Sequence, residues 1–386
     1  MNKKLTAICQ GLGLALVLPY SLLVSCPVQA SDDPLDLPAL MSARAAHAML
    51  LGVAQAGTRL VAVGEHGVIL YSDNHGKNWV QARVPVSVTL TAVQFPDARH
   101  GWAVGHDGVV LNSTDSGQSW IKRFDGNQAN ALMLADLQKS ADDAHRATDA
   151  AKDVAKKADL IAQNAADNAV ADVQAGAKFG PSRPLLGVYF DSANEGFVVG
   201  AYGQIFHTND GGANWKSLAG RMHNPEGLHY NAISAIGTDI VIAGEGGKVY
   251  RSRDKGLNWQ TLDTGYNGQL YGVLGLKDAG GDALLAYGFG GHIVLGSGDS
   301  AGWHELPAVS SKNIVSGAQM TDGRVLLATQ DGSLLHSEDH GQHFAKLQLG
   351  VGMEIAGAAL LDNGAAIALS GVGGVHIVAT NAGKVQ

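Results

Sequence analysis

Cysteine is nearly missing from this chain. Only Cys9 and Cys26 occur in 386 residues, and both precede residue 27. Two such residues build neither a disulfide scaffold nor a Cys-ligated zinc site. Charge is sparse as well. Asp, Glu, Lys and Arg make up 16% of the chain, and 35 acids against 27 bases leave a net charge of −8. A protein that holds nucleic acid by its phosphates needs clustered positive charge, so the composition argues against a nucleic-acid partner. The sequence contains no His-Glu-x-x-His motif, phosphate-binding loop or nucleophilic triad in a recognisable setting. Glycine is what abounds, with 51 residues and no Gly-X-Y period, beside 46% apolar side chains. Many turns must therefore join many short elements, and there is enough apolar material for a large core. The length is great for one compact domain, yet a closed repeat architecture can use all of it.

Residues 1–30 read as an address. Lys3 and Lys4 precede an apolar stretch from Leu5 to Val24, and Val28-Gln29-Ala30 offers small residues at a cleavage position. This is the pattern of a secretory signal peptide, and it predicts a periplasmic protein beginning near residue 31. Both cysteines leave with such a peptide, so no thiol could mispair in an oxidising compartment. Leu23-Val24-Ser25-Cys26 supports an alternative, a lipoprotein anchored at Cys26.

The rest is a repeat. A short apolar run, a glycine, two variable residues and a second glycine recur along the chain. The closing glycines are Gly67, Gly108, Gly203, Gly247, Gly291, Gly332 and Gly374, spaced 41, 95, 44, 44, 41 and 42 residues apart. Seven copies at this spacing match the period of a β-propeller blade. The one long interval predicts an insertion.

A second motif, Ser/Thr-x-Asp-x-Gly-x-x-Trp, follows the first in nearly every copy. This is the Asp box, or BNR repeat, of bacterial neuraminidases. Its residues are Asp73 and Trp79, Asp115 and Trp120, Asp210 and Trp215, Asp254 and Trp259, a degenerate Asp299 and Trp303, and Asp339 and Phe344. In the first copy the motif is offset by one residue. The carboxylate is expected to accept from turn amides, the glycine to take the left-handed backbone, and the aromatic ring to pack between blades. These residues read as structural. Each unit then has four strands, A to D, with the Gly-x-x-Gly turn between B and C and the Asp box between C and D.

The expected fold is an all-β, seven-bladed propeller of four-stranded blades spanning residues 31–386. The last copy has no Asp box after it. Asp36-Leu37-Pro38-Ala39-Leu40 resembles Glu305-Leu306-Pro307-Ala308-Val309 after the fifth box. Residues 34–40 are therefore expected to complete blade 7 as its D strand and remove an open edge. Residues 126–182 break the repeat. They are rich in alanine, and between Asn127 and Gly180 they lack proline and hold Gly176 as the lone glycine. Two antiparallel helices, near 130–150 and 151–173, are expected between blades 2 and 3. Their apolar stripe is thin, so the pair must pack on the propeller, seek a partner, or stand as a mobile arm.

Blade topology places B–C turns and D–A connections on one face. That face should carry Glu65, His66, His106, Asp107, Tyr202, Glu245, Phe289, Gln330 and Asp331, with Arg221, His223 and His229 from a D–A loop. The helical insertion should rise from the same face. Together they form the candidate interaction surface. No catalytic, cofactor or metal residues are assigned. Paired carboxylates across the channel mouth, among Glu65, Asp107, Glu245 and Asp331, would serve an alternative role in binding or hydrolysing carbohydrate.

The Asp boxes, with Gly101-Trp102-Ala103-Val104-Gly105 and Gly196-Phe197-Val198-Val199-Gly200 each leading into its Gly-x-x-Gly turn, resemble the photosystem II assembly and stability factor family. That family consists of seven-bladed propellers, and the likeness runs from about residue 34 to the end, outside the insertion. It implies a non-enzymatic scaffold or assembly partner of an envelope membrane complex, an RND-type exporter among the candidate clients. The insertion and the scarcity of arginine depart from the photosynthetic members.

Overall fold

The computed structural model describes residues 33–151, 154–277, 283–296, 302–349 and 352–380. The signal peptide, the Cys26 anchor site and Asp299 lie outside the described residues.

Seven antiparallel sheets stand side by side among the described residues, six built from consecutive strands in the order A-B-C-D and the seventh from A, B and C. In blade 1 these are A (Leu50–Ala56), B (Arg59–Gly64), C (Ile69–Ser72) and D (Val80–Gln81). The blades cover residues 50–81, 90–124, 185–217, 230–263, 270–305, 314–348 and 355–379. Neighbouring A strands pack together round the ring, and blade 7 meets blade 1 through Ile355–Leu361 and Leu50–Ala56. B strands such as Gly101–Gly105 and Gly196–Gly200 are buried on both faces. That explains their unbroken apolar runs: sandwiched between blades, they have no solvent side.

One detail repeats in every blade. The A strand begins with a bulge at its second residue, which is Leu51, Thr91, Leu186, Asn231, Tyr271, Val315 or Ala356. The bulge pushes the carbonyl before strand A against the end of strand B. A Cβ on Gly64, Gly105, Gly200, Gly244, Gly288 or Gly371 would collide with that carbonyl. The first glycine of each Gly-x-x-Gly turn is thus a place where two backbones touch. The next amide closes the contact, as in Glu65 N to Met49 O at 3.1 Å and Glu245 N to His229 O at 3.0 Å. B–C turns and D–A connections therefore share one face, as the topology requires.

The Asp boxes work as tight turns. Asp115, Asp210, Asp254 and Asp339 accept from the amides of Ser119, Asn214, Asn258 and His343 at 2.8–3.0 Å. The opening Ser or Thr also takes part. Its Oγ accepts from the glycine amide, as from Gly117 to Ser113 at 2.9 Å. The aromatic rings pack against the preceding blade: Trp120 joins Val61 and Val63, and Trp215 joins Trp102 and Phe124. The first box needs correction. Asn74 Oδ1, not Asp73, accepts from Asn78 N at 2.9 Å, while Asp73 pairs with Arg59 at 2.7 Å. An amide oxygen accepts as well as a carboxylate, so the motif tolerates Asn at its third position.

Residues 34–40 do not complete blade 7, whose sheet has three strands among the described residues. They run instead beside the connection from blade 1 to blade 2. Ala39 N donates to Val84 O at 3.1 Å, and Ser87 N to Pro34 O at 2.9 Å. Leu35 and Ala39 are buried there among Val84, Val86, Val88 and Trp120. Leu35 and Ala39 find their burial in that groove, which draws the segment away from the expected edge, while Leu37 and Leu40 stay exposed. The following single turn, Ala45–His47, sits at the seam of blades 7 and 1, with Ala45 buried beside Leu361 and Ala368.

The insertion is a helical hairpin, α1 (Gly126–Ala150) and α2 (Val154–Ala177). Helix α1 begins four residues earlier than composition suggested because Asp125 forms a capping box with Gln128. Asp125 Oδ1 accepts from Asn127 N at 3.0 Å, and Gln128 Oε1 from Asp125 N at 3.2 Å. Such a reciprocal cap satisfies amides the helix cannot. The cross-pair His145 to Asp167 at 2.9 Å sets the helices antiparallel.

Candidate functional site

The base of the hairpin is part of the protein core. Ala129, Met133 and Val173 are buried with Trp102, Phe124, Phe190 and Trp215. Trp102 and Phe190 stack at 3.9 Å between centroids beneath them. Asp136 then ties α1 to blade 3. Its Oδ2 accepts from Ser217 Oγ at 2.9 Å and from Gly220 N at 3.0 Å. Gly220 has no room for a Cβ, which would meet Ser140 Oγ. The arm thus lies against the Gly-x-x-Gly face, over the turn of blade 3 and the loop 219–227.

A cleft of about 360 Å³ remains between arm and propeller. Met133, Leu137 and Val173 form its apolar wall, and Tyr202, Arg183 and the loop Asn224–Gly227 the opposite side. Asn224 shapes that loop, with Nδ2 donating to Leu228 O at 2.9 Å and Oδ1 accepting from Leu228 N at 2.9 Å. Arg183 is half-buried. Its Nη2 donates to Asp172 O at 2.8 Å, and its guanidinium carbon lies 5.0 Å from the Tyr202 ring centroid. Burial pulls the Arg183 pKa below its ordinary value, against the opposing pull of Tyr202 and Asp172. The Tyr202 ring also meets His229 edge-on at 4.8 Å.

Tyr202 has an unusual backbone. It occupies the left-handed region at φ 56°, where the equivalent turn residues are His66, Asp107, Gly246 and Gly290. An aromatic residue there costs on the order of 1 kcal/mol or more relative to glycine. Even so the ring is 54% exposed. Phe289, in the matching turn of blade 5, is 55% exposed, and Phe179 at the hairpin base 83%. The face therefore displays several separate aromatic side chains beside the cleft.

The other expected face residues divide sharply. His66 and His106 are exposed in their turns, and Arg221 and His223 are exposed in the loop. Glu65 and Glu245 are not free, which corrects their place on an open surface. Glu65 Oε1 accepts from Met49 N at 3.1 Å, and Glu245 Oε2 from His229 N at 3.3 Å, each holding a D–A connection. Gln330 Oε1 accepts from Asn313 Nδ2 at 3.0 Å in the same role. Asp331 accepts from Thr329 Oγ1 at 2.6 Å and pairs with Lys346 at 3.3 Å. Burial opposes ionisation of Asp331, but these hydrogen bonds prevail and hold its pKa at about 2. Asp107 is half-buried, and burial raises its pKa.

The acids do not pair across the channel. The ring of bulged residues leads into cavities of about 400 and 420 Å³, and their walls contain neither Glu65, Asp107, Glu245 nor Asp331. Glu354 is the lone charged side chain there, at the mouth. Among the described residues no three His, Cys, Asp or Glu side chains converge as a metal-ligand set.

The family model described as Photosynthesis system II assembly factor YCF48 matches residues 69–144 and 178–284. The match runs from strand C of blade 1 through blade 2 into the first part of α1, and then covers blades 3 and 4 and the start of blade 5. The chain is similar to YCF48 over these residues. The structure of YCF48 bound to D1 peptide superposes with a TM-score of 0.59 at 18% identity, covering 88% of this chain and 98% of that one. YCF48 from Cyanidioschyzon merolae gives 0.60 at 14% identity, with 88% and 97% covered. At such identity the likeness is one of fold. No protein with a curated description matches this chain.

Sequence reasoning missed Arg183, Met133, Leu137 and Val173 as neighbours. Arg183 sits in a short polar stretch whose partners are distant in sequence. The strain at Tyr202 was readable, because glycine holds the same turn position in blades 4 and 5.

Proposed function

We propose that this propeller is a non-enzymatic scaffold that grips a segment of a partner protein on its Gly-x-x-Gly face. One observation carries the reading. The helical arm is docked on that face and builds a cleft whose rim is an aromatic residue held in an unfavourable backbone conformation. Strain retained beside an open cleft is characteristic of a binding site. The exposed Phe179 and Phe289 extend the contact surface, as aromatic anchors do at interfaces. A YCF48 structure with bound D1 peptide supports the same kind of role for this chain.

The client class is an envelope membrane complex, with an RND-type exporter as the specific candidate. That choice rests on the signal-peptide pattern of residues 1–30, which directs the protein to the periplasm, and on the family resemblance. Among the described residues no helix is long and apolar enough to cross a membrane.

The test is affinity capture from detergent-solubilised envelope, with full-length protein, the Tyr202→Ala variant and a form lacking 127–180 as baits. Specific capture of a membrane protein by the full-length bait alone is the expected result. Equal capture by all three baits would remove the face and arm from the function. The mass of the mature N-terminus tests export, and a start near residue 31 separates the free protein from one lipidated at Cys26.

A further inference from the structure

The guanidinium of Arg183 is seated more carefully than a helix cap requires. It lies on the bare backbone of Gly176, where a Cβ would be 2.5 Å from Nη2. Gly176 is the lone glycine between residues 127 and 179. Tyr202 presents its ring to the same guanidinium from a strained turn. Two residues with poor local propensity thus converge on one side chain, the mark of a site kept for another purpose. Only Nη2 is engaged, with Asp172 O, and no carboxylate of the described residues lies within ion-pair distance. A half-buried guanidinium with spare N–H groups is suited to a carboxylate in two-pronged geometry.

The surroundings narrow the ligand. Met133, Leu137 and Val173 line the cleft next to the charge and suit one apolar side chain. Asp172 and Glu226 also line it, and they repel a segment carrying several acids. The volume, about 360 Å³, is near the small end of ligand pockets and admits a few residues, not a long through-running strand.

We infer that the cleft between arm and blade 3 captures the free carboxyl terminus of an extended partner segment ending in an apolar residue. Arg183 takes the terminal carboxylate, Tyr202 holds the guanidinium in plane, and the apolar wall takes the last side chain. Terminal carboxylate capture combined with a side-chain pocket is a recurring mode of peptide recognition. This inference rests on the proposed scaffold role and names the chemistry of its site.

The test uses the full mature chain, immobilised, and a hexapeptide pool randomised at its last three positions. One half of the pool has free C-termini and the other half C-terminal amides. Mass spectrometry of retained peptides should show free acids enriched at least tenfold over amides, with Leu, Ile, Val, Met or Phe at the end. Arg183→Gln should abolish that preference. Thermal unfolding checks that the variant is folded, and Arg183→Lys, which keeps the charge but loses the fork, should retain only part of it.

Three results would overturn the inference. One is no retained peptide, another is amides held as well as acids, and the third is an unchanged preference in a folded Arg183→Gln protein. The last is what capping of α2 alone predicts. Running Arg183→Gln as a further bait in the envelope capture keeps the two readings apart. A client retained by that variant leaves the scaffold standing while the carboxylate site falls.

Discussion

Asp136 of the helical arm and Ser217 of blade 3 are joined by a 2.9 Å hydrogen bond, and the same carboxylate oxygen accepts the Gly220 amide. Asp136 and Ser217 are 81 positions apart in sequence, so this side chain is a polar tie between the insertion and blade 3 beside the packing of Ala129, Met133 and Val173. Asp136→Ala should lower global stability by about 1–3 kcal/mol, the usual cost of leaving partly buried donors unmatched. Hydrogen exchange should rise in loop 219–227 and at the start of α1, and stay unchanged in blades 5 and 6. Uniform protection everywhere would show that Met133 and Val173 hold the arm by packing alone.

Removing the arm altogether is the complementary experiment. Gly126 and Pro181 abut at the hairpin base, where a Cβ on Gly126 would be 2.6 Å from the Pro181 ring. The chain can therefore be rejoined across the gap without stretching blade 2 or 3. A form lacking 127–180 should fold with the β-rich circular dichroism of the parent. It should be less stable, because Ala129, Met133 and Val173 no longer cover the Trp102 cluster. An unfolded product would mean the arm is needed to assemble the ring.

The Asp boxes allow a sharper comparison. Asp115 accepts from Ser119 N at 3.0 Å and is bonded to Ser113 Oγ at 2.8 Å, while Asp73 makes an exposed pair with Arg59. Asp115→Ala and Asn74→Ala should each cost about 1–2 kcal/mol in urea unfolding, because a turn loses its anchor. Asp73→Ala should cost less than about 1 kcal/mol, as exposed ion pairs do. A larger loss at Asp73 than at Asn74 would restore the sequence-based assignment of the first box.

These boxes also show what was legible in the sequence. Blade number, strand order, the shared face and the helical hairpin followed from periodic glycine and alanine-rich composition, which are local signals. Two things did not follow. Residues 34–40 carry apolar alternation that suits any exposed edge or groove, and the groove beside Val84 won. The free or engaged state of Glu65 and Glu245 depended on a bulge at the start of strand A, which no single repeat displays as a motif. The cleft was illegible for the same reason: Arg183, Gly176, Tyr202 and Met133 meet only after the hairpin docks.

Acid should weaken the ring at its Asp turns. Asp331 and Asp339 each have a pKa lowered to about 2 in the folded protein, against 3.8 for an ordinary aspartate. Burial opposes ionisation at Asp339, but hydrogen bonds from His343 and Ser337 outweigh it. A folded-state pKa below the unfolded one gives stability that is fully present above pH 4 to 5. It is lost as pH falls toward 2, because the unfolded chain binds the proton first. Thermal midpoints should be level on this account from pH 5 upward and drop between about pH 4 and 2. Replacing both residues with Asn should flatten that drop, and an unaltered acid limb would assign the loss to other carboxylates.

Tyr202 separates stability from binding. Its left-handed backbone, at φ 56°, is one that glycine adopts freely, and Gly246 and Gly290 hold the same position in blades 4 and 5. Tyr202→Gly relieves the strain but gives up the contacts with Arg183 and His229. The two effects are each on the order of 1 kcal/mol and opposite in sign, so stability should change by less than about 1 kcal/mol. Client capture should nevertheless fall sharply, because the cleft loses its rim and Arg183 its support. Gly203→Ala is the control: at φ 70° with Asn224 Nδ2 3.1 Å from the new Cβ, it should destabilise the turn outright. If Tyr202→Gly binds the client as well as the parent does, the aromatic ring was tolerated in that turn without serving it.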